Sequence, residues 1–400
     1  SSTMGEAEVA DLNFIGFNQD AKSLQIGNHK GYWIYGLNNV LDAPAVQYEN
    51  ENTPDTILVE RMFNSSLLAL VSRKNPRLMQ VYHFVNNSTI CEAKFGSTIL
   101  NIKMNRDRLV VCLEECIHVY NIKDMKQVMH TICDTPLNRT GMMDLSSVGA
   151  TSLLAYPGSV SSGQVHIFDA MSLTSVNTFI AHANPLSAIR FNAEGTKIAT
   201  ASTKGTVIRV FSVPNGTKLF EFQRGVRPCV MHSLCFSADS QYLCSSSNTE
   251  TIHVYKLVKP EEPQQQESNG GWFEYIQQTA QAYLPVSEFM RETDFAVARL
   301  PASQKTVAAL LSISGQPHLL VASTDGFLFC FRVPVEGGQC ELIKQHRVGV
   351  KASRNSPSAE AHSIPSRPPR ANDSSSRTGF TPPDASSLDD FPPINHSSGQ

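Results

Sequence analysis

The chain predicts an all-β fold, a seven-bladed β-propeller with four-stranded antiparallel blades. Three observations carry that expectation. A strand ending in an aromatic residue recurs seven times, the recurrences are spaced close to one blade apart, and long helical periodicity is missing from the repeating part.

The recurrences are Trp33-Ile34-Tyr35, Gln80-Val81-Tyr82, His118-Val119-Tyr120, His166-Ile167-Phe168, Arg209-Val210-Phe211, His253-Val254-Tyr255 and Phe329-Cys330-Phe331. Their final aromatics lie 47, 38, 48, 43, 44 and 76 residues apart. A four-stranded blade takes about 40–45 residues, so five gaps are one blade each, and the sixth is one blade plus roughly 32 more. Between the markers, apolar and polar residues alternate in short runs bounded by turn residues. Residues 188–191 precede the turn 192–195, and residues 233–236 precede the turn 237–240. Period-two alternation between turns reads as antiparallel strand. A β-sandwich is the alternative, but seven evenly spaced units are hard to fit into one.

Composition narrows the function. Hydrophobic residues make up 41% and charged residues 17% of the chain, enough for one large core over residues 11–346. The formal net charge of -3 argues against a nucleic-acid partner. Any anion site must rest on a few placed residues. The nine cysteines are odd in number, form no CxxC pair and sit mostly in apolar strand-like runs. They read as buried reduced thiols in a reducing compartment, not as a disulfide framework or a metal site. Cys112 and Cys116 are four apart, but on a strand. No basic-then-apolar leader and no apolar run of about 18 residues is present, so a cytoplasmic, monomeric chain is expected. Between Lys351 and Gln400 there are 12 Ser and 8 Pro, so residues 347–400 read as a disordered tail. HExxH, GxSxG, P-loop and nucleotide Gly-rich fingerprints are missing, so neither an enzyme nor a cofactor is expected. An enzyme using the propeller's central channel is the alternative. Clustered inward-facing acids or histidines would favour it, and small apolar side chains would oppose it.

Phe222-Gln223-Arg224-Gly225 lies between the fifth and sixth repeats, within GTKIATASTKGTVIRVFSVPNGTKLFEFQRG, and SSSNTETIHVYKL follows it. With CLEECIHVYNIKDMK and LLAYPGS earlier in the chain, these stretches resemble the PROPPIN family, the WIPI-type autophagy propellers. The resemblance runs from about residue 11 to 346. Its hallmark is Phe/Leu-Arg-Arg-Gly, whose two arginines serve two phosphoinositide sites on the propeller rim. Neighbouring residues in extended chain face opposite ways, and a guanidinium matches phosphate oxygens with a planar fork.

Carried over by position, the resemblance implies a first site of Thr200, Ser202, Gly205, Thr206, Arg209 and Gln223. It implies a second of Arg224, Gly225, Ser247, Thr251 and His253. Gln223 stands where the family has arginine, so the first site is expected to be weak and the second intact. The implied ligands are phosphatidylinositol 3-phosphate and the 3,5-bisphosphate. The implied setting is the cytoplasmic face of preautophagosomal or endosomal membranes, where the protein recruits conjugation or lipid-transfer proteins of autophagy. A protein scaffold that has lost lipid binding is the rival reading.

Three further segments stand out. The long sixth gap contains an insertion over about 258–299. On a helical wheel, Trp272, Phe273, Ile276, Ala280, Tyr283 and Leu284 share one face, with Glu274, Gln277, Gln278 and Gln281 opposite. That is a membrane-inserting pattern, ended by Pro285. Arg106, Arg108, Lys123 and Lys126 form a basic set, which in the family binds an acidic partner from the conjugation machinery. In the tail, Leu388-Asp389-Asp390-Phe391-Pro392-Pro393-Ile394 resembles a strand-adding peptide, although its prolines remove backbone donors.

Overall fold

The structure, a computed structural model, describes residues 12–258 and 292–351. The described residues form seven antiparallel sheets in chain order, spanning 14–50, 56–94, 101–132, 144–182, 186–223, 231–299 and 306–347. Each of the seven marker aromatics falls in the third strand of its sheet, so the repeat counted in the sequence is the blade.

The core lies between blades, not within them. Tyr32, Ile34, Val59, Leu68 and Leu70 join blades one and two, and Ala199, Ile208, Phe222, Leu243 and Tyr255 join blades five and six. Alternation puts apolar side chains on both faces of every sheet, so each blade is stable only between two others. The first strands of successive blades touch one another all the way round. The circuit runs through β1 (Phe14–Phe17), β5 (Thr56–Arg61), β9 (Asn101–Met104), β13 (Asp144–Leu145), β17 (Leu186–Phe191), β21 (Met231–Phe236) and β25 (Thr306–Ile313), then returns to β1. These strands therefore surround the axis.

Among the described residues no strand is exchanged to close the ring: blades one and seven are each built from their own segment of chain. Closure comes from packing and a few hydrogen bonds. The Leu12 amide donates to the Thr324 carbonyl (2.9 Å), and the Gly349 amide donates to the Tyr35 hydroxyl (2.9 Å). A His346 ring nitrogen lies 2.7 Å from the Val40 carbonyl.

The sequence expectations need four adjustments. The last strand, β29, covers Glu341–Arg347 and Val348 is fully buried, so the folded part runs past 346. Blade six carries a fifth, parallel strand, β28 (Gly338–Gln339), paired with β24 (Ala296–Arg299). Because β24 is also the fourth strand of blade six, the insertion ends before Ala296 instead of at 299. Lastly, Glu60, Lys103, Asp144 and Arg190 come from four of the axis-lining strands and interact electrostatically, so the channel is not lined only by small and apolar groups. The acids have partners. Asp144 accepts the Phe191 amide (2.7 Å) and lies 3.9 Å from Arg190, and Glu60 accepts the Gln19 amide (3.3 Å). Burial pushes the Glu60 carboxyl up to about 7 against the pull of Lys103 and Arg190. A charge-balanced set of this kind ties blades together across the axis. The membrane-inserting pattern Trp272 to Leu284, the tail beyond 351 and its peptide 388–394 lie outside the described residues.

Replacing Tyr35 by Phe should leave the buried Gly349 amide without its acceptor, a loss of about 1–3 kcal/mol at the ring junction. Thermal unfolding should show a lower midpoint, and hydrogen exchange should quicken first at Gly349. Unchanged exchange there would place ring closure elsewhere.

Candidate functional site

Two polar clusters form where blade five meets its neighbours, and one turn links them. The turn joins β18 (Lys197–Ser202) to β19 (Val207–Ser212) and passes through Gly205 at a φ of +69°. That left-handed conformation suits glycine, and a methyl group there would collide with the Cys229 carbonyl. The Thr206 carbonyl accepts the Arg224 amide (2.9 Å) and the Gln223 side-chain amide (3.2 Å). The Gly205 carbonyl accepts Arg224 Nε.

The first cluster lies between blades four and five. Register places Thr200 opposite Arg209 and Arg209 opposite Glu221. Arg209 Nε meets Glu221 Oε2 at 2.7 Å, and its Nη1 donates to the Ala181 carbonyl at 2.8 Å. Lys218 shares the same carboxylate at 3.0 Å. His182, at the end of β16 (Thr174–His182), places Nε2 2.9 Å from the fully buried Thr200 hydroxyl. Burial, followed by the charge of Arg209, holds His182 down at about 4, so the ring is neutral at physiological pH. Ser202 and Thr206 are also buried. Gln223 turns its amide onto the Gly225 carbonyl (2.6 Å) as well as that of Thr206.

The second cluster lies between blades five and six. His253 Nδ1 sits 2.6 Å from Asp294 Oδ2, and its Nε2 lies 3.1 Å from the Thr251 hydroxyl. The buried Ser247 hydroxyl lies 2.8 Å from that of Thr249. Register sets Arg299 opposite Thr251. Burial is the largest influence on His253 and lowers its pKa. Arg224 and Arg299 lower it further, and Asp294 opposes them without prevailing. Arg224 Nη2 reaches the Arg227 carbonyl (2.7 Å), and around Gly225 the space is open. This cluster brings two guanidiniums and hydroxyls to an imidazole that the Asp294 carboxylate holds, and such donors are of the kind that bind oxyanions.

The sequence of the chain matches the PROPPIN family over residues 11–349. The chain belongs to the PROPPIN family. It is 46% identical to the autophagy-related protein 18 of Caenorhabditis elegans over 418 residues, covering 100% of both chains. It is 47% identical to the human WD repeat domain phosphoinositide-interacting protein 1 over 358 residues, covering 85% of this chain and 80% of that one. Among solved structures it resembles Kluyveromyces marxianus Hsv2, with a TM-score of 0.67 at 20% identity over 85% of this chain and 100% of the other. It also resembles KlAtg21 solved in complex with the coiled coil of AgAtg16, with a TM-score of 0.65 at 25% identity over 84% and 99%.

In this PROPPIN, the residues predicted for each site are neighbours in space. The sequence reading missed His182, Glu221, Asp294 and Arg299. His182 ends the outer strand of blade four as Gln223 ends that of blade five, so the repeat register held a signal for it. Asp294 follows the insertion, where no register applies. The basic set divides. Arg106 is exposed with its guanidinium 4.0 Å from the centre of the Phe63 ring, and Lys123 and Lys126 are exposed. Arg108 departs from the expected surface set. It is 6% exposed, and its guanidinium is bound to the carbonyls of Ala170 (2.8 Å) and Asp107 (2.9 Å), tying blade three to blade four.

Two outcomes follow from these placements. Arg108→Ala should lower the thermal midpoint by several degrees, whereas Arg106→Ala should leave it within about 1 °C, because only the first strands buried carbonyls. Because His182 is depressed in the folded chain, the unfolded chain binds its proton first as pH falls below about 6.5. Stability should therefore drop between pH 6.5 and about 4, and His182→Gln should flatten that part of the profile. A profile unchanged by the substitution would exclude His182 as the group responsible.

Proposed function

We propose that the chain is a peripheral membrane effector that reads phosphatidylinositol 3-phosphate, and the 3,5-bisphosphate, on forming autophagic or endosomal membranes. The supporting observation is the second cluster. Arg224 and Arg299 act on His253 there beside Ser247, Thr251 and the open space at Gly225, and head-group phosphate answers those two guanidiniums. The names of the relatives, phosphoinositide-interacting and autophagy-related, point the same way.

The first cluster is weaker in this reading. Arg209 is already neutralised by Glu221, and the glutamine at position 223 brings no charge and spends its amide on backbone carbonyls. Thr200, Ser202, Gly205 and Thr206 shape that pocket more than they bind. Contact with the bilayer would be completed by the apolar face from Trp272 to Leu284. Exposed Arg106 and Lys123 suit an acidic helical partner, in keeping with the neighbour solved with a coiled coil. A lysine at 123 keeps the charge without the bidentate fork.

Flotation with vesicles carrying phosphatidylinositol 3-phosphate tests this directly. Wild type should float, Arg224→Ala should lose binding by about tenfold or more, and Gln223→Arg should float more strongly. If wild type stays behind and Gln223→Arg does not restore it, the scaffold reading replaces this one. Burial disfavours the charged form of His253 in the free chain and a phosphate beside it would favour that form, so vesicle affinity should rise on acidification, and His253→Gln should remove that rise.

A further inference from the structure

The sequence reading buries the cysteines, but Cys133 is exposed and Cys116 is only partly covered. The fold brings these two together in blade three. The hairpin of β10 (Arg108–Cys112) and β11 (Ile117–Asn121) turns through residues 113–116, where the Leu113 amide donates to the Cys116 carbonyl (2.9 Å). The outer strand β12 (His130–Ile132) pairs with β11, with Ile117 opposite Ile132 and His118 opposite Thr131. One step further, that register sets Cys116 opposite Cys133. The chain keeps to this path beyond the strand. The Thr135 hydroxyl donates to the Glu115 carbonyl (3.2 Å), and the Asn138 amide donates to the Glu114 carbonyl (2.8 Å).

Alternation puts both thiols on one face of the blade. Ile117 and Ile132 pack toward blade four, with Leu145, Leu154 and Phe168. Asp134 acts electrostatically on Tyr156 and His166, which also belong to blade four. Cys133, between Ile132 and Asp134, therefore points toward blade two. Cys116 packs on that side as well, against the cluster of Met79, Val81 and Phe95. The His118 ring stacks on Phe95 at 5.2 Å and completes the set. Its Nε2 lies 3.5 Å from the Cys116 sulfur, and its Nδ1 lies 2.9 Å from the Thr131 hydroxyl. The two thiols also act on one another electrostatically. Residues directly opposite in an antiparallel pair have Cα atoms about 4.5–5.5 Å apart, inside the roughly 4.4–6.8 Å that a disulfide spans. Cys112 is no rival partner, since it is fully buried and faces blade four.

The three groups differ in ways that set an order of events. Burial, then Cys133 and Glu115, raises the Cys116 thiol, so it stays protonated at rest. Burial lowers His118, so its ring is neutral and able to accept a proton. Exposed Cys133 is the thiol that a solute meets first. We propose that Cys133 and Cys116 form a reversible disulfide in response to hydrogen peroxide, with Cys133 oxidised first, Cys116 closing the bond and His118 moving its proton. In the first step the Cys133 thiolate attacks one peroxide oxygen and the O–O bond breaks. The sulfur is oxidised to a sulfenic acid, and the departing hydroxide takes up a proton as water. In the second step the Cys116 sulfur attacks the Cys133 sulfur and the S–O bond breaks. The hydroxide that leaves takes the Cys116 proton, passed through His118 Nε2, as a second water. One peroxide and two thiols thus give one disulfide and two waters, and a dithiol reductant reverses the change.

The test exposes the full reduced chain to hydrogen peroxide and maps its tryptic peptides without reductant. Cleavage after Lys123 and Lys126 leaves Cys116 and Cys133 on separate peptides. Those peptides should appear joined, and dithiothreitol should separate them. In Cys116→Ser the joined pair should vanish, and dimedone should label Cys133 as a sulfenic acid. His118→Gln should slow closure by about tenfold or more while Cys133 is still labelled, because the ring acts only on the closing proton. Cys133→Ser should give neither product. The wild-type map decides the matter without any variant. Cys133 left reduced, joined to Cys91 or Cys112, joined to a second copy of the chain, or carried on to sulfinic acid beside a free Cys116 would each overturn the proposal.

Discussion

Each sheet in this molecule is apolar on both faces, so no blade can satisfy its hydrophobic surface alone. Tyr32 and Ile34 need Val59 and Leu68, just as Phe222 needs Leu243 and Tyr255. A row of such sheets leaves a bare face at each end, and bending the row into a ring removes both ends. Closure among the described residues uses contiguous blades joined by packing and hydrogen bonds at Leu12, Val40 and Gly349, without a shared strand. The innermost strands then crowd the axis, where Glu60, Lys103, Asp144 and Arg190 balance one another.

The same constraint creates the functional clefts. The first strands of successive blades are in contact all round the axis. In blade five the turn between the second and third strands meets the segment that leaves the blade's own outer strand, β20 (Lys218–Gln223). The turn at Gly205 and Thr206 shows how rigid that meeting is. Its two carbonyls receive the backbone of Arg224 and the side chains of Gln223 and Arg224. One turn therefore borders both clusters beside blade five, and a glycine is needed because the Cys229 carbonyl leaves no room for a side chain.

Electrostatics decide how the two clusters differ. The chain carries a small net negative charge, so a site for anions depends on cations left uncommitted. In the first cluster Glu221 claims Arg209 and Lys218, and His182 is held neutral by burial. In the second, Asp294 faces His253, and the charges of Arg224 and Arg299 act on the same ring. Two pockets of one design thus differ through the identity of a few residues at equivalent positions.

The sequence by itself determined the blade count, the strand type and the place of the third strands, because period-two alternation and a blade-length repeat are local properties of the chain. The motif at 222–225 and its neighbours marked the region that became both clusters. Only the tertiary structure decided which of those residues are structural. Arg108 looked like part of a basic surface but lies inside, bound to Ala170 from the next blade. His182, Glu221, Asp294 and Arg299 enter the sites from strands distant in sequence or from beyond the insertion. Burial and partnership depend on what packs across a blade interface, and that is set by ring closure, a contact between the chain's two ends that no local pattern encodes.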